Sequence, residues 1–302
     1  MTSAPAVTGG RWIRSFHSAR PGGARLVALP HAGGSASAFR FLSNALAPEH
    51  QVLVVQYPGR QDRFHEPAVT DVHELAEHVV ESLEPYLDEP LVLFGHSMGA
   101  SIAFETARRL ERRGAGTAAL IVSSRTAPGI GLGLPHTVHE LGDAELLAEL
   151  AAFGAVDRRI AEDEDLLRHT LEVIRGDYRA VETYRPVAGS RVHCPVSVLV
   201  GDRDPRVSRD QASAWEAWSA RGVDLRVFEG GHFFLEEHAE AVAALVRAAL
   251  VRAAAVRPAP AGTAPVRPAP VRPAPVRPAP PHTGPPHAAR GRVPGAAVIS
   301  TR

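Results

Sequence analysis

The amino-acid sequence predicts an α/β fold: a mostly parallel central sheet flanked by helices, with a helical lid insertion and a disordered C-terminal tail. Three observations carry that expectation. Short apolar runs of strand length alternate with helically spaced stretches over most of the chain, the pattern of a sheet covered on both faces. The alternation pauses between about 128 and 186, where helical patterns follow one another with no strand between them. From Arg252 onward the composition changes, to 13 of the 26 prolines and eight arginines with no acid, and VRPAP recurs at 256, 266, 271 and 276.

Residues 1–10 read as a flexible lead-in and 11–251 as the folded domain. Arg11 to His17 suits a short edge strand, and Pro21-Gly22-Gly23 a turn before the buried strand Leu26–Leu29. Pro30 to Phe39, PHAGGSASAF, is a glycine-rich loop, and Gln51–Val55 is the next strand. The charges that follow it, Arg60, Asp62, Arg63 and Glu66, read as a solvated loop with ion pairs. Val72 to about Glu84 has helical spacing with Leu75, Val79, Val80 and Leu83 inward. Leu91–Phe94 is a strand, Ala100–Leu110 a helix and Ala118–Ser123 another strand.

Beyond Pro128 the insertion supplies helices around His139–Phe153 and Asp163–Tyr184. Its apolar members Leu146, Leu147, Leu150, Phe153, Leu166, Leu167 and Leu171 are read as packing between those helices. Strands return at Val196–Val200 and Asp224–Phe228, with a helix over Gln211–Ala220 between them and a last helix ending near Val251. The segment 252–302 holds too little apolar surface to fold and is expected to be an extended basic tail.

The formal net charge of +0 conceals an asymmetry, because residues before Arg252 carry 25 basic against 33 acidic groups. Nothing in that balance points to nucleic acid or a membrane surface. The single cysteine, Cys194, excludes an internal disulfide and reads as an inert packed thiol. The first residues lack a signal-peptide pattern and no apolar run reaches membrane-span length, so a cytoplasmic protein is expected, a monomer in the simplest case.

The chemistry concentrates at Gly95-His96-Ser97-Met98-Gly99, between a predicted strand and a predicted helix. In G-x-S-x-G the glycines let strand and helix approach closely while the serine sits at the apex of a sharp turn. The helix start behind it supplies unpaired N–H groups and the positive end of a dipole. Ser97 is therefore the candidate nucleophile, with the backbone N–H groups of Met98 and Ala32 as the candidate oxyanion hole. His31 precedes the nucleophile and is assigned to the shape of its loop.

A serine hydroxyl needs a base, and the base an acid to orient it. In this motif class the chain order is nucleophile, acid, histidine. His232, in Gly230-Gly231-His232 after the last strand, is the best-placed of the 15 histidines. The loop after Val200 offers Asp202 and Asp204; the spacing from Gly201 and the restraint of Pro205 favour Asp204, leaving Asp202 to hold the loop. The preceding strand ends in Ser123-Ser124-Arg125-Thr126, without a carboxylate.

Taken together, PHAGGSASAF at 30–39, YPGRQDR at 57–63, GHSMGA at 95–100, GDRDPRVS at 201–208 and GGHFFL at 230–235 resemble the type II, or stand-alone, thioesterases of polyketide synthase and nonribosomal peptide synthetase systems. The resemblance covers about 11 to 251. It implies an α/β-hydrolase fold with a helical lid and a serine thioesterase in which Ser97, Asp204 and His232 form the triad and Met98 and Ala32 line the oxyanion hole. It further implies hydrolysis of acyl groups from the phosphopantetheine arm of acyl or peptidyl carrier proteins, its partners, clearing misprimed or stalled units, with no cofactor and no metal. The alternative is a small-molecule carboxylesterase or lipase.

Overall fold

Most strand-forming runs in this chain are apolar on both sides of the pleat, and the computed structural model shows why. It describes residues 11–131, 133, 136–152 and 163–255. Seven strands form one sheet: β1 (Ile13–Arg14), β2 (Arg25–Leu29), β3 (Val52–Val55), β4 (Leu91–His96), β5 (Thr117–Ser123), β6 (Val196–Gly201) and β7 (Val223–Phe228). Their spatial order is β1-β3-β2-β4-β5-β6-β7. β1 pairs antiparallel with β3, and every other pairing is parallel.

Successive residues of a strand enter opposite cores. In β4, Leu91 and Leu93 join the cluster beneath α2 (Val72–Leu83) and α3 (Met98–Arg112). Val92 and Phe94 join the opposite cluster, packed with Leu42 and Leu46 of α1 (Arg40–Leu46) and with Val242, Val246 and Leu250 of the C-terminal helix. Between β5 and β6 lie a short 3-10 turn, Val138–Glu140, then α4 (Asp143–Ala152) and α5 (Glu164–Thr183). They share a small core of Val138, Leu146, Leu150, Leu171 and Ile174.

The structure departs from the sequence-based expectations in four places. The helix α1 was not anticipated. In place of one helix over 211–220 there is α6 (Arg209–Ser213), closed by a capping box between Ser208 and Gln211, followed by 3-10 winding over Ala214–Trp218. That tighter winding accompanies burial of Trp215, whose Nε1–H donates to the Arg125 carbonyl at 2.9 Å. The charged cluster after β3 is half buried: Arg60 pairs with Asp177 and Arg63 with Glu66, the Arg63 guanidinium lying 4.4 Å from the Trp12 ring centroid. Finally, the last helix, α7 (Ala239–Ala255), passes Val251 and buries Ala253.

Residues 1–10 and 256–302, expected to be flexible or disordered, lie outside the described residues, as does Phe153. Cys194 is buried against Glu111, and burial pushes its thiol up to about 12, so it remains protonated. Among the described residues, no helix is long and apolar enough to cross a membrane, and no cluster of three or more His, Cys, Asp or Glu is arranged to hold a metal.

Candidate active site

The tight turn between β4 and α3 depends on its glycines. A Cβ on Gly95 would lie 2.2 Å from the Gly99 carbonyl oxygen, and one on Gly99 would lie 2.0 Å from that of Leu29. No side chain fits either position. Ser97 between them adopts φ 54, ψ −116, outside the helical and extended regions, a conformation costing roughly 1–3 kcal/mol. It persists because the neighbouring chain fixes it: the Ser97 N–H donates to the Ser123 carbonyl of β5 at 2.8 Å.

Two further loops are fastened together across β6 and β7. Asp202 N–H donates to Phe228 O at 2.8 Å and Arg203 N–H to Gly230 O at 2.9 Å, while the Asp202 carboxylate accepts the Gly230 N–H at 2.8 Å. Asp202 therefore binds backbone. Gly201 has no room for a side chain, since its Cβ would meet Gly231 O at 2.4 Å. From the other side, Ser124 Oγ donates to the His232 carbonyl at 2.9 Å.

These loops bring three side chains into one line. The fully buried Asp204 carboxylate accepts from His232 Nδ1, at 3.0 Å to Oδ2 and 3.1 Å to Oδ1. A carboxylate only accepts, so the proton sits on Nδ1 and Nε2 is left as the acceptor. The Ser97 hydroxyl donates to that Nε2 at 3.0 Å. Asp204 Oδ1 also accepts the Arg206 N–H at 2.9 Å, which keeps the carboxylate from turning away.

Ala32 and Met98 line the cavity into which Ser97 and His232 open. As the first residue of α3, Met98 has no intrahelical acceptor for its N–H. His31 stands nearby but donates and accepts nothing toward Ser97 among the described residues. Its carbonyl accepts the Gly34 N–H at 2.9 Å, and its ring packs edge-on to His96 and Phe233. Burial, with the His232 and Arg60 charges adding to it, pulls the His31 imidazole down to about 4, so it is neutral near pH 7. His96 is lowered for the same leading reason, burial, then by His232 and His31.

The sequence profile of the thioesterase domain family matches residues 24–250. The chain belongs to that family. It is 47% identical over 240 residues to thioesterase PikA5 of Streptomyces venezuelae, covering 78% of this chain and 85% of that protein. Among solved structures it resembles the type II thioesterase BorB from the borrelidin biosynthetic cluster, at TM-score 0.74 and 44% identity, over 82% of this chain and 100% of BorB. It also resembles YbtT, a type II thioesterase from the yersiniabactin NRPS/PKS biosynthetic pathway, at TM-score 0.73 and 31% identity, over 80% and 99% of the two chains. The thioesterase thus has the α/β-hydrolase fold expected from its motifs.

Sequence reasoning did not find the rest of the cavity wall in this thioesterase. Leu150, assigned to packing between lid helices, lines the cavity as well as the insertion core. Arg125, Tyr178, Val207 and Phe233 line it too. Phe233 and Val207 were visible as neighbours of His232 and Asp204 within their motifs. Tyr178 lies within a helix whose spacing reports only which face is apolar.

Proposed function

We propose that this thioesterase is a serine hydrolase of acyl groups carried as thioesters on the phosphopantetheine arm of acyl or peptidyl carrier proteins, serving polyketide or nonribosomal peptide biosynthesis. The observation that carries the reading is the hydrogen-bonded line Ser97–His232–Asp204 opening into a cavity whose rim includes Ala32 and Met98. The kinship with BorB and YbtT supports the biosynthetic setting.

In this mechanism His232 Nε2 takes the proton of Ser97 as Oγ attacks the thioester carbonyl carbon. The carbonyl oxygen becomes an oxyanion facing the Ala32 and Met98 N–H groups, and Asp204 stabilises the imidazolium that has formed. The carbon–sulfur bond breaks, the pantetheine sulfur takes the proton from Nε2, and an acyl ester remains on Ser97. Water then gives its proton to Nε2 and attacks the ester carbonyl. Collapse of the second oxyanion returns the proton to Ser97 Oγ and releases the free acid. No cofactor or metal enters these steps, and one chain contains all of the groups involved.

Incubation with acyl-loaded carrier protein, followed by mass, tests the reading. The intact protein is expected to release the acyl group, and Ser97→Ala to lower kcat by about a thousandfold or more. Release that is indifferent to Ser97→Ala would overturn it. Turnover of short nitrophenyl esters with no preference for carrier-bound thioesters would favour a small-molecule carboxylesterase instead.

A further inference from the structure

Five arginines are buried among the described residues: Arg60, Arg63, Arg108, Arg125 and Arg206. Four of them pair with a carboxylate, respectively Asp177, Glu66, Glu105 and Glu149. Arg125, 7% exposed, has neither an ion pair nor a side-chain hydrogen bond among the described residues. A buried guanidinium with no hydrogen-bonded acceptor is costly unless the cavity it faces supplies one.

The surroundings of Arg125 are built to hold it in place. Ser124 before it takes a positive φ of 47, held by its N–H to Leu199 O at 2.9 Å and by its Oγ to His232 O. The Arg125 carbonyl accepts from Trp215 Nε1, and Thr126 Oγ1 donates to Ile130 O, both at 2.9 Å. With its backbone so fixed, Arg125 lines the cavity that holds Ser97 and His232 and also the adjoining cleft beside Glu182 and Tyr184. Burial lowers its guanidinium to about 10, which leaves it charged near neutral pH. Tyr178, on the same cavity wall, also has no acceptor for its hydroxyl among the described residues.

We propose that Arg125 and the Tyr178 hydroxyl form an acyl-recognition subsite for a neutral oxygen acceptor, so that the enzyme selects acyl chains bearing a keto or hydroxyl oxygen over plain alkyl chains. This rests on the thioester-hydrolase reading and specifies its substrate class. The neutral acceptor is favoured over a carboxylate because the Glu182 carboxylate already lines the same cleft as Arg125. Glu182 is itself fixed by the Val138 and His139 N–H groups, at 2.8 and 3.0 Å, and by the His139 ring. An incoming carboxylate would meet that charge. A carbonyl accepts from the guanidinium without bringing a second anion into the cavity.

The test compares 3-oxohexanoyl-, 3-hydroxyhexanoyl-, hexanoyl- and malonyl-pantetheine. A 3-oxo group activates the thioester toward any nucleophile, so the deciding quantity is how the ratio of kcat/KM values changes with the side chain. The native enzyme is expected to prefer the oxygenated chains over hexanoyl by about tenfold or more. Arg125→Gln should collapse that ratio severalfold, and Arg125→Lys should restore part of it. A ratio unchanged in Arg125→Gln, or a preference for malonyl over both oxygenated chains, would overturn the proposal.

Calorimetric affinities of Ser97→Ala for the same thioesters give a reading independent of turnover and of whether Arg125→Gln folds. Tighter binding of the oxygenated chains supports the subsite, and equal binding overturns it. Absence of hydrolysis by the native enzyme, with that binding preference intact, would instead sink the hydrolase reading alone.

Discussion

Asp177, on α5 of the insertion, accepts the Gly33 N–H through Oδ2 at 2.7 Å and pairs with Arg60 through the same oxygen. Gly33 follows Ala32, so the insertion helix grips the loop that carries one of the proposed oxyanion donors. The loop is held from beneath as well. Gln56 accepts the Ala36 N–H at 2.7 Å and donates to Arg60 O at 2.9 Å. Asp177→Asn removes the charge that offsets the buried Arg60 while nearly preserving shape. It is expected to cost about 3–5 kcal/mol, as breaking a buried pair does, and to slow hydrolysis through the loosened loop. Denaturant midpoints and steady-state kinetics check both effects; a variant unchanged in stability would show that Arg60 finds another acceptor.

The two aspartates after β6 should separate cleanly by their partners. Asp204 faces the His232 ring, whereas Asp202 accepts the Gly230 N–H and lies 4.0 Å from the Arg203 guanidinium at the exposed end of its loop. Asp204→Asn is expected to lower kcat by about ten-thousandfold while the fold stays intact, because an amide in that place favours the wrong imidazole tautomer. Asp202→Ala should lose about 1–2 kcal/mol of stability and retain most activity. Kinetics and thermal melts on the two variants distinguish the cases, and a reversal of the two phenotypes would exchange the roles of the two carboxylates.

The sheet and the Ser97 turn were legible because they are local. An apolar run ending in Gly-x-Ser-x-Gly before helical spacing describes its own geometry, and the strand limits fell within a residue or two wherever both faces are buried. Arg60 was misread for the opposite reason. Its partner Asp177 lies 117 positions away, so the sequence shows a surface-like run of charges and not the helix that covers it. Arg125 is the same case in reverse: SSRT reads as a polar strand end until Trp215 and Ser124 are seen to hold it against the cavity. The 3-10 winding at Trp215 is set by what that indole reaches, which no spacing rule records.

Stability should fall in mild acid. Burial lowers His31 to about 4 and takes His96 well below its ordinary value of 6.5. In the unfolded chain both take up protons near 6.5, so between about 6.5 and 4 the unfolded state binds more protons than the folded one. The stabilisation is present above about 6.5 and is lost as the pH falls toward 4. Urea midpoints at pH 7.5, 6 and 5 should therefore decline, and His31→Gln should flatten the decline by removing one of the two groups. Parallel slopes for the native protein and the variant would refute the assignment.

The end of the folded domain gives a sharper test than composition alone. The change to a proline- and arginine-rich sequence begins at Arg252, yet α7 continues to Ala255, and Ala253 is buried at the helical interval from Val246, Ala249 and Leu250. Truncation after Ala255 is expected to leave both the melting temperature and the hydrolysis of a small thioester nearly unchanged. Truncation after Val251 removes the last turn, uncovers the Ala253 contact and exposes the preceding helix end, for a loss of about 1 kcal/mol. Thermal melts of the two truncated proteins beside the full chain decide the matter: equal stability of both would place the boundary at 251, and a collapse on removal of 256–302 would show that the remaining segment supports the domain.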